Sequence, residues 1–334
     1  MSATILPENN LHYPVLLKEV LSIISPQNGG TFIDCTFGQG GYTKKILEFP
    51  NTKVIAFDRD SMSNYIASKF KKKYKTRFEY HNKKFSEIDV INSKKNIKGI
   101  IFDLGFSFDQ IKDPSKGLSF NHKGKLNMKM GHNKFSADDI INNLPSKDLD
   151  KIFKFFGEEI NSKLISSKIV NERKYKKILT EDLVTIINKT KKKFTKINKA
   201  TKIFQALRIM VNNEISELIS GLSKSSNLIS KNGVIVTITF HSIEDRICKF
   251  FFNNISSTKK VSRYFPVNCD DNISFEFINK KPIIPSLKEI EKNPPSRSAK
   301  LRAVRRKENN KIDTKFVYEK FKNLIEIEGL TSKL

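Results

Sequence analysis

The chain has 334 residues, and 61 Lys and Arg residues against 35 Asp and Glu residues give it a formal net charge of +26. This length suits two domains or one large domain with an insertion, and the lack of an apolar run of about 18 residues excludes a membrane-spanning helix. A field of this sign attracts polyanions, so nucleic acid is the first partner that the composition indicates.

Short apolar runs alternate with helical patterns in the first third of the chain. Strands are predicted at 31–37, 53–58, 78–80 and 98–104, with helices near 41–49 and 61–73. Because right-handed βαβ crossovers build a parallel sheet that is covered on both faces, we expect a doubly wound α/β core.

The pattern changes after residue 111, where a loop precedes amphipathic segments at 148–156, 159–173 and 180–192. We predict an inserted helical substrate domain over 112–199. The α/β pattern then returns, with helices at 201–222 and 243–252 and strands at 233–240, 275–278 and 298–306. These elements predict a discontinuous cofactor-binding domain over 1–111 and 200–310, followed by a polar tail over 311–334 that is expected to be a frayed helix.

The cysteines and the N-terminus indicate the compartment. Cys35, Cys248 and Cys269 are widely spaced and form no C-x-x-C pair, which disfavours a disulfide framework and a zinc site, and we predict no bound metal. Residues 1–10 lack a basic segment followed by an apolar one, so no secretory signal is indicated. We therefore expect a cytoplasmic protein.

A glycine-rich turn follows the first predicted strand, which ends in Asp34. Gly38, Gly40 and Gly41 allow the backbone to approach a ligand closely. The dinucleotide fingerprint would need another glycine where this chain has Thr43. An acidic residue beside the turn repels a diphosphate but suits a ligand with an ammonium and a sulfonium group. The turn therefore points to S-adenosylmethionine.

Polar residues also follow three other predicted strands. Asp58, twenty positions after Gly38, is spaced to accept hydrogen bonds from both ribose hydroxyls, with a strand-end cap as the alternative. Asp103 and the His241-Ser242 edge end the fourth and fifth strands, where ligands bind in open α/β sheets. His241 is either a site residue or part of the cap of the next helix, and both interpretations stay open.

Longer motifs run nearly from end to end of the chain. They are HYPVLLKE at 12–19, DCTFGQGG at 34–41, DRD at 58–60, DLG at 103–105, GLSF at 117–120, FQALRI at 204–209, FHSIEDR at 240–246 and RSAKLR at 297–302. Together they resemble the RsmH (MraW) family of small-subunit ribosomal RNA cytosine-N4 methyltransferases.

This resemblance implies an α/β fold with a class I (Rossmann-like) methyltransferase sheet and an inserted helical domain. It implies transfer of a methyl group from S-adenosylmethionine to the N4 amine of one cytosine in the decoding region of 16S rRNA, within the small ribosomal subunit. A monomer and a homodimer both stay open. By motif position, the cofactor-binding residues are Gly40, Gly41, Tyr42, Asp58, Phe85, Asp103 and Gln110.

The chain departs from the family's usual motifs at several positions. Tyr42 replaces a histidine, Phe106 and Phe108 replace Val and Ser after DLG, and NKATK at 198–202 stands where the family has HPATR. Asn127 exchanges a carboxylate for an amide in a loop that is expected to reach the edge of the active site.

The predicted chemistry is a direct in-line transfer without a covalent intermediate, so Cys35 is assigned to core packing. The amine of cytosine is a poor nucleophile, and acceptors that hold its N–H groups raise its reactivity. The candidate catalytic residues are Asp103, Asn127, His241 and Ser242.

Two other functions stay open at this point. One is an amino-group methyltransferase that acts on another RNA or on DNA. The other is a non-catalytic RNA-binding protein of ribosome assembly, against which the intact glycine turn and Asp58 argue. In either case, the lysine run at 191–193 in the insertion is a candidate contact to RNA phosphates.

Overall fold

The computed structural model describes residues 13–91, 96–106, 110–111, 113–121, 123–191, 198–256 and 274–334. The chain divides into two compact units. We call Met1–Gly105 with Gly221–Asp313 the sheet unit, and Phe106–Ser220 with Thr314–Leu334 the helical unit. No helix among the described residues is long and apolar enough to span a bilayer.

One seven-stranded sheet forms the centre of the sheet unit. Its strands are β1 (Gly30–Asp34), β2 (Thr52–Phe57), β3 (Phe78–His81), β4 (Ile97–Asp103), β5 (Val234–Thr239), β6 (Phe275–Phe277) and β7 (Lys300–Arg306). The strand order is β3-β2-β1-β4-β5-β7-β6. Strands β1 to β5 are parallel, whereas β7 is antiparallel to both of its neighbours. The predicted α/β, Rossmann-like fold class is confirmed.

Helices surround the sheet and make up the helical unit. In chain order they are α1 (Leu17–Ile24), α2 (Gly41–Leu47), α3 (Ser63–Tyr74), α4 (Ala137–Asn143), α5 (Ser146–Phe156), α6 (Ser162–Glu172), α7 (Thr180–Thr190), α8 (Thr201–Asn212), α9 (Glu214–Leu228), α10 (Ser242–Ser256), α11 (Leu287–Lys292), α12 (Lys315–Lys320) and α13 (Lys322–Glu328). Helices α4 to α8, α12 and α13 belong to the helical unit, and α9 begins there and ends in the sheet unit.

The central strands explain why the site forms at one edge of the sheet. Ile100, Ile101 and Phe102 of β4 and Ile235 and Val236 of β5 are completely buried. Such continuous apolar runs are typical of parallel strands that are covered on both faces. Polar side chains therefore concentrate at the strand ends, where the chain leaves the sheet.

The helix predicted at 201–222 is two helices, α8 and α9. Asn213 between them has a left-handed backbone conformation with a φ of 49°, which Asn adopts more readily than most residues. Across this break, the Nε atom of Arg208 lies 2.8 Å from Oε1 of Glu214. The apolar periodicity continues through the break, so the sequence pattern did not reveal it.

The C-terminal segment also differs from the predicted tail. Helices α12 and α13 bury Val317, Leu324 and Ile327, and these apolar residues are too sparse among polar ones to give a strong helical pattern. The helical unit thus includes residues 314–334. It also includes residues 200–220, because α8 packs against α5, so its limits differ from the predicted 112–199.

Glu328, at the end of α13, caps the start of α9. Its carboxylate accepts hydrogen bonds from the N–H groups of Ile215 and Ser216, at 2.7 and 2.9 Å. Burial raises the pKa of Glu328 to about 7, although these hydrogen bonds oppose the rise. We expect Glu328→Ala to lower the free energy of unfolding by about 2 kcal/mol, because two N–H groups lose their acceptor.

Urea unfolding followed by circular dichroism measures this loss. The control is Glu326→Ala, which removes a carboxylate that is 61% exposed on the same helix. It should change the free energy of unfolding by less than about 0.5 kcal/mol. Equal losses in the two variants would contradict the capping role of Glu328.

Candidate active site

The carboxyl ends of four parallel strands meet at one edge of the sheet. Asp34 ends β1, Asp103 ends β4, and Asp58 follows β2 directly. His241 comes two residues after β5. The predicted site residues of the sheet unit are thus brought to the edge at which ligands bind in open α/β sheets.

The glycine turn leaves no room for side chains at two positions. A Cβ atom on Gly40 would lie 2.7 Å from Cζ of Phe70, and one on Gly41 would lie 2.3 Å from Cγ of Pro14. Gly40 also has a φ of 74°, which favours glycine. The turn is therefore fixed by its own packing as well as by any ligand.

Asp58 holds this turn in place. Its Oδ2 accepts hydrogen bonds from the N–H of Gly38 at 2.7 Å and from Oγ of Ser63 at 2.9 Å, and its Oδ1 accepts one from the N–H of Asp60 at 2.8 Å. Burial raises the pKa of Asp58, and these hydrogen bonds lower it. A carboxylate has about four acceptor positions, so these hydrogen bonds from the described residues leave one position for a ribose hydroxyl. The strand-end cap and the ribose contact are thus compatible.

Asp34 and two threonines tie the ends of the turn together, and the sequence interpretation missed the threonines. Oδ2 of Asp34 accepts a hydrogen bond from Oγ1 of Thr43 at 2.7 Å, and Oγ1 of Thr36 accepts one from the N–H of Asp103 at 2.9 Å. Burial raises the pKa of Asp34 to about 6, and repulsion by Asp58 acts in the same direction. The position of these two hydroxyl residues on both sides of the glycines was the signal in the sequence from which the contacts could have been predicted.

Asp103 is the carboxyl group at this edge whose burial is least offset by hydrogen bonds from the described residues. Its Oδ1 atom is buried and has no hydrogen-bond partner among the described residues. Burial and the nearby Asp34 raise the pKa of Asp103 to about 8, and a hydrogen bond with Tyr42 partly opposes this rise. A positively charged group beside Asp103 would favour its ionised form.

Tyr42 is a buried part of the same corner. Its ring is 3% exposed, and its hydroxyl donates a hydrogen bond to the carbonyl oxygen of Val15. Burial and the negative charge of Asp103 raise its pKa well above the usual range. Its side chain is thus committed to the protein, which leaves its backbone as the group to contact a cofactor.

His241 and Glu244 form the cap of α10. The carboxylate of Glu244 accepts hydrogen bonds from the N–H groups of Phe240 and His241, and Nδ1 of His241 accepts one from the N–H of Glu244. Nε2 of His241 lies 3.1 Å from Oε1 of Glu244. The cap interpretation of His241 therefore has direct structural support. Ser242 is the first residue of α10 and is exposed.

Phe85 begins a short helical segment after β3 and packs into the sheet unit. Its ring meets that of Phe102 edge to face, with 5.4 Å between the centroids. A Cβ atom on Gly221 would lie 2.6 Å from Cδ2 of Phe85, so this glycine makes room for the ring. One face of the aromatic side chain is thereby held by β4 and α9.

Two predicted site residues, Gln110 and Asn127, belong to the helical unit. Nδ2 of Asn127 donates a hydrogen bond to the carbonyl oxygen of Ser115 at 3.2 Å, and its Oδ1 receives none from the described residues. Phe106 packs under the guanidinium of Arg208, whose Cζ lies 4.8 Å from the ring centroid. The predicted departure at Phe108 lies outside the described residues.

Comparison with known proteins identifies the family. A sequence model of the MraW methylase family matches residues 9–307. The chain belongs to the MraW methylase family. Its relatives include the ribosomal RNA small subunit methyltransferases H of Wolbachia sp. subsp. Drosophila simulans (strain wRi) and Rickettsia canadensis (strain McKiel), both 40% identical, over 301 and 300 residues. The alignments cover 88% of this chain and 99% and 97% of those proteins.

A solved rRNA methylase from Streptococcus thermophilus is also similar, with 9% sequence identity and a TM-score of 0.39 over 86% of this chain and 95% of that one. Membership of the MraW methylase family confirms the resemblance on which the sequence interpretation relied. It also confirms the predicted enzyme class, a methyltransferase that uses S-adenosylmethionine.

The residues of the sheet unit fit this cofactor. S-adenosylmethionine carries an ammonium and a sulfonium group. The buried Oδ1 of Asp103, to which none of the described residues donates a hydrogen bond, lies at an edge that also holds Asp34 and Asp58. Positive charge lowers the free energy of such a carboxyl cluster. The glycine turn, which excludes side chains at Gly40 and Gly41, leaves space for a close approach to the backbone.

Proposed function

We propose that the chain transfers a methyl group from S-adenosylmethionine to the N4 amine of a cytosine in the decoding region of 16S rRNA. The observation that carries this proposal is the buried Oδ1 of Asp103 at the carboxyl edge of the sheet, an acceptor that has no hydrogen-bond partner in the described part of the chain. The names of the relatives support a small-subunit ribosomal substrate. Such a substrate would place the enzyme in the cytoplasm.

The sheet unit supplies the proposed cofactor contacts. When bound, S-adenosylmethionine supplies an electrophilic methyl group on a sulfonium sulfur. In the proposal, Asp58 accepts a hydrogen bond from the ribose, Phe85 lies against the adenine, and the backbone of residues 40–42 borders the methionine part. Gln110 stays a proposed cofactor contact in the helical unit. These groups orient the donor, and orientation contributes much of the rate in an in-line transfer.

Hydrogen-bond acceptors would activate the cytosine amine. In the proposal, Asp103 accepts from one N–H group and stabilises the positive charge that develops on the nitrogen, and Oδ1 of Asn127 is the second acceptor. Nδ1 of His241 belongs to the cap of α10, whereas its buried Nε2 has no hydrogen-bond partner among the described residues, so we assign the His241-Ser242 edge a role in contacting the base. The target base is expected to leave its stack to reach these groups.

The cysteines argue against methylation of a cytosine ring carbon, which needs a thiolate nucleophile. Cys35 and Cys248 are buried, with 2% and 0% exposure. Burial raises the pKa of Cys248, which disfavours its thiolate form. Cys269 lies outside the described residues. Transfer to an amine needs no such nucleophile, in agreement with the proposal.

Transfer of radiolabelled methyl groups tests this function. The purified protein is incubated with labelled S-adenosylmethionine and either small ribosomal subunits, free 16S rRNA, large-subunit rRNA or genomic DNA, and the products are digested to nucleosides for mass spectrometry. We expect N4-methylcytidine from the small-subunit substrates only. Label in DNA or in another RNA would establish the alternative amino-group methyltransferase. RNA binding without label in any pool would establish a non-catalytic binding protein.

The ribose contact leads to a prediction for Asp58. We expect Asp58→Asn to weaken binding of S-adenosylmethionine by about 10- to 100-fold, because charge-assisted hydrogen bonds contribute about 1.5–3 kcal/mol. Isothermal titration calorimetry measures the affinity, and circular dichroism checks the fold.

The matched control for Asp58 is Ser63→Ala. This variant removes one internal hydrogen bond to the Asp58 carboxylate but no proposed ribose contact. Its affinity for S-adenosylmethionine should stay within about threefold of the wild type. Wild-type affinity in Asp58→Asn would place the ribose elsewhere, and equal losses in both variants would assign the effect to the shape of the turn.

A further inference from the structure

The lysine run at 191–193, which the sequence suggested as an RNA contact, is at least partly structural. Nζ of Lys191 lies 2.7 Å from Oε2 of Glu159 and 2.8 Å from the carbonyl oxygen of Lys199. This ammonium is therefore held inside the helical unit. The other two lysines of the run lie outside the described residues.

Another basic surface lies on α3 and the turn after it. We call Lys69, Lys71, Lys72, Lys73 and Lys75 the α3 basic face. All five are exposed, and no Asp or Glu occurs between residues 61 and 78. None of the five forms an ion pair with any of the described residues, whereas the exposed Lys45 does so with Glu48 through a contact of 2.9 Å.

This concentration of like charge is unfavourable for the helix itself. Lys69 and Lys72, and Lys69 and Lys73, stand three and four positions apart, at which like charges on a helix repel. The opposite side of α3 is anchored, because Ala67 is buried and the ring of Phe70 meets that of Phe37 edge to face at 5.3 Å. The charges are thus held on a fixed helix and gain from a polyanion.

An exposed aromatic side chain accompanies the lysines. The ring of Tyr65 is 66% exposed, and Nζ of Lys69 lies 4.1 Å from its centroid. Residues 62, 65, 69 and 72 follow one face of a helix at spacings of three and four. Lysines beside an exposed aromatic ring are the combination with which proteins bind single-stranded nucleic acid, by phosphate contacts and base stacking.

Helix α3, which carries this face, begins at the proposed cofactor site. Oγ of Ser63 bonds to Asp58, and the N–H of Met62 donates to Oδ1 of Asp60 at 3.2 Å. Helix α3 therefore leaves the carboxyl edge of the sheet and, with 12 residues, extends for about 18 Å at 1.5 Å per residue. A strand whose target base enters the site has this face beside its continuation.

We propose that the α3 basic face binds the phosphate backbone of the RNA substrate and that Tyr65 stacks on an unpaired base next to it. This inference rests on the proposed function, since it assigns part of the binding surface for that substrate. An acidic lipid surface is the other polyanion that such a face would attract. RNA is favoured because the helix face with residues 62, 65, 69 and 72 offers an aromatic ring for stacking on a base. It offers no continuous run of apolar side chains that would enter a bilayer.

The test compares two fourfold variants with equal loss of charge. The first is Lys69→Gln with Lys71→Gln, Lys72→Gln and Lys73→Gln. The control is Lys280→Gln with Lys281→Gln, Lys288→Gln and Lys292→Gln, lysines that are exposed and form no ion pair with the described residues. Binding of 16S rRNA is measured against salt concentration. Each phosphate contact to a single strand contributes about 0.7 to the slope of the logarithm of the binding constant against the logarithm of the salt concentration. The loss of four contacts in the first variant should therefore reduce the magnitude of this slope by about 3, and the control variant should reduce it by less than about 1.

Kinetics and a second substitution separate binding from folding. For the first variant we expect a higher KM for RNA, an unchanged kcat and an unchanged affinity for S-adenosylmethionine. Tyr65→Ala should weaken RNA binding by about 10-fold, and Tyr65→Phe should restore it, because stacking needs only the ring. Equal changes of the salt slope in the two fourfold variants would overturn the proposal.

Two further outcomes are informative. Unchanged RNA binding in the first variant, together with lost binding to phosphatidylglycerol vesicles, would overturn the RNA proposal in favour of a lipid surface. If the wild type methylates no RNA but its RNA binding depends on the α3 basic face, then the proposed function fails while the binding surface stands.

Discussion

Asp103→Asn is expected to lower the rate of methyl transfer by about 100- to 1000-fold, because one electrostatic contact to the transition state is lost. The same substitution should leave the protein at least as stable as the wild type. An amide has the size of the carboxyl group and stays neutral at every pH, whereas burial and the nearby Asp34 make the ionised form of Asp103 unfavourable. Single-turnover kinetics on small ribosomal subunits and thermal unfolding measure the two effects.

The pH dependence of stability provides a further readout. Below about pH 4 the carboxyl is protonated in both the folded and the unfolded chain. Between its ordinary pKa of 3.8 and its folded value of about 8, the folded state alone binds the proton. The contribution of Asp103 to stability therefore decreases as the pH rises through this window. The Tm of Asp103→Asn should fall less than that of the wild type between pH 5 and pH 8.

Binding of the cofactor should show the opposite trend. A cationic ligand favours the ionised form of Asp103, so the affinity of the wild type for S-adenosylmethionine should rise as the pH approaches 8. In Asp103→Asn this increase should be smaller. An affinity that varies with pH to the same extent in both proteins would show that the cofactor does not contact Asp103.

Glu328→Gln is the matched control for Asp103→Asn. Burial raises the pKa of Glu328 to about 7, but this residue caps α9 and has no proposed contact with cofactor or RNA. The control should therefore also reduce the dependence of Tm on pH while transferring methyl groups at the wild-type rate. Wild-type transfer by Asp103→Asn would remove Asp103 from the mechanism.

Asn127→Ala is expected to lower the single-turnover rate by about 10- to 1000-fold, if Oδ1 of Asn127 accepts a hydrogen bond from the cytosine amine. Asn127→Asp keeps an acceptor and adds charge, but it loses the hydrogen bond from Nδ2 to the carbonyl oxygen of Ser115. We expect the Asp variant to transfer methyl groups within about tenfold of the wild-type rate, with a lower Tm.

Asn121→Ala serves as the control for Asn127, because it removes an exposed amide from the same region of the helical unit. It should retain the wild-type rate. A wild-type rate in Asn127→Ala would make Asn127 a loop residue without a catalytic role, and Asp103 with the His241-Ser242 edge would have to supply the acceptors. Equal losses in the Ala and Asp variants would assign Asn127 to positioning the loop through Ser115.

Local patterns in the sequence determined the sheet and the framework of the site. The apolar runs that became β4 and β5 are buried on both faces, and the limits of β1 to β5 could be predicted to within three residues. The glycine turn was recognisable because Gly40 and Gly41 stand where a Cβ atom does not fit. Asp34 and Asp103 lie at strand ends because the chemistry of a buried strand excludes carboxylates from its middle.

The tertiary structure decided which group each polar side chain meets, because such partners come from distant parts of the chain. Asp58 was predicted as a ribose contact, and only the fold shows that it also bonds to Gly38 and Ser63. The C-terminal segment was predicted as a tail, but Glu328 caps a helix 113 residues earlier in the chain. Periodicity reports how much apolar surface a segment can bury, whereas hydrogen-bond partners depend on where the remainder of the chain is placed.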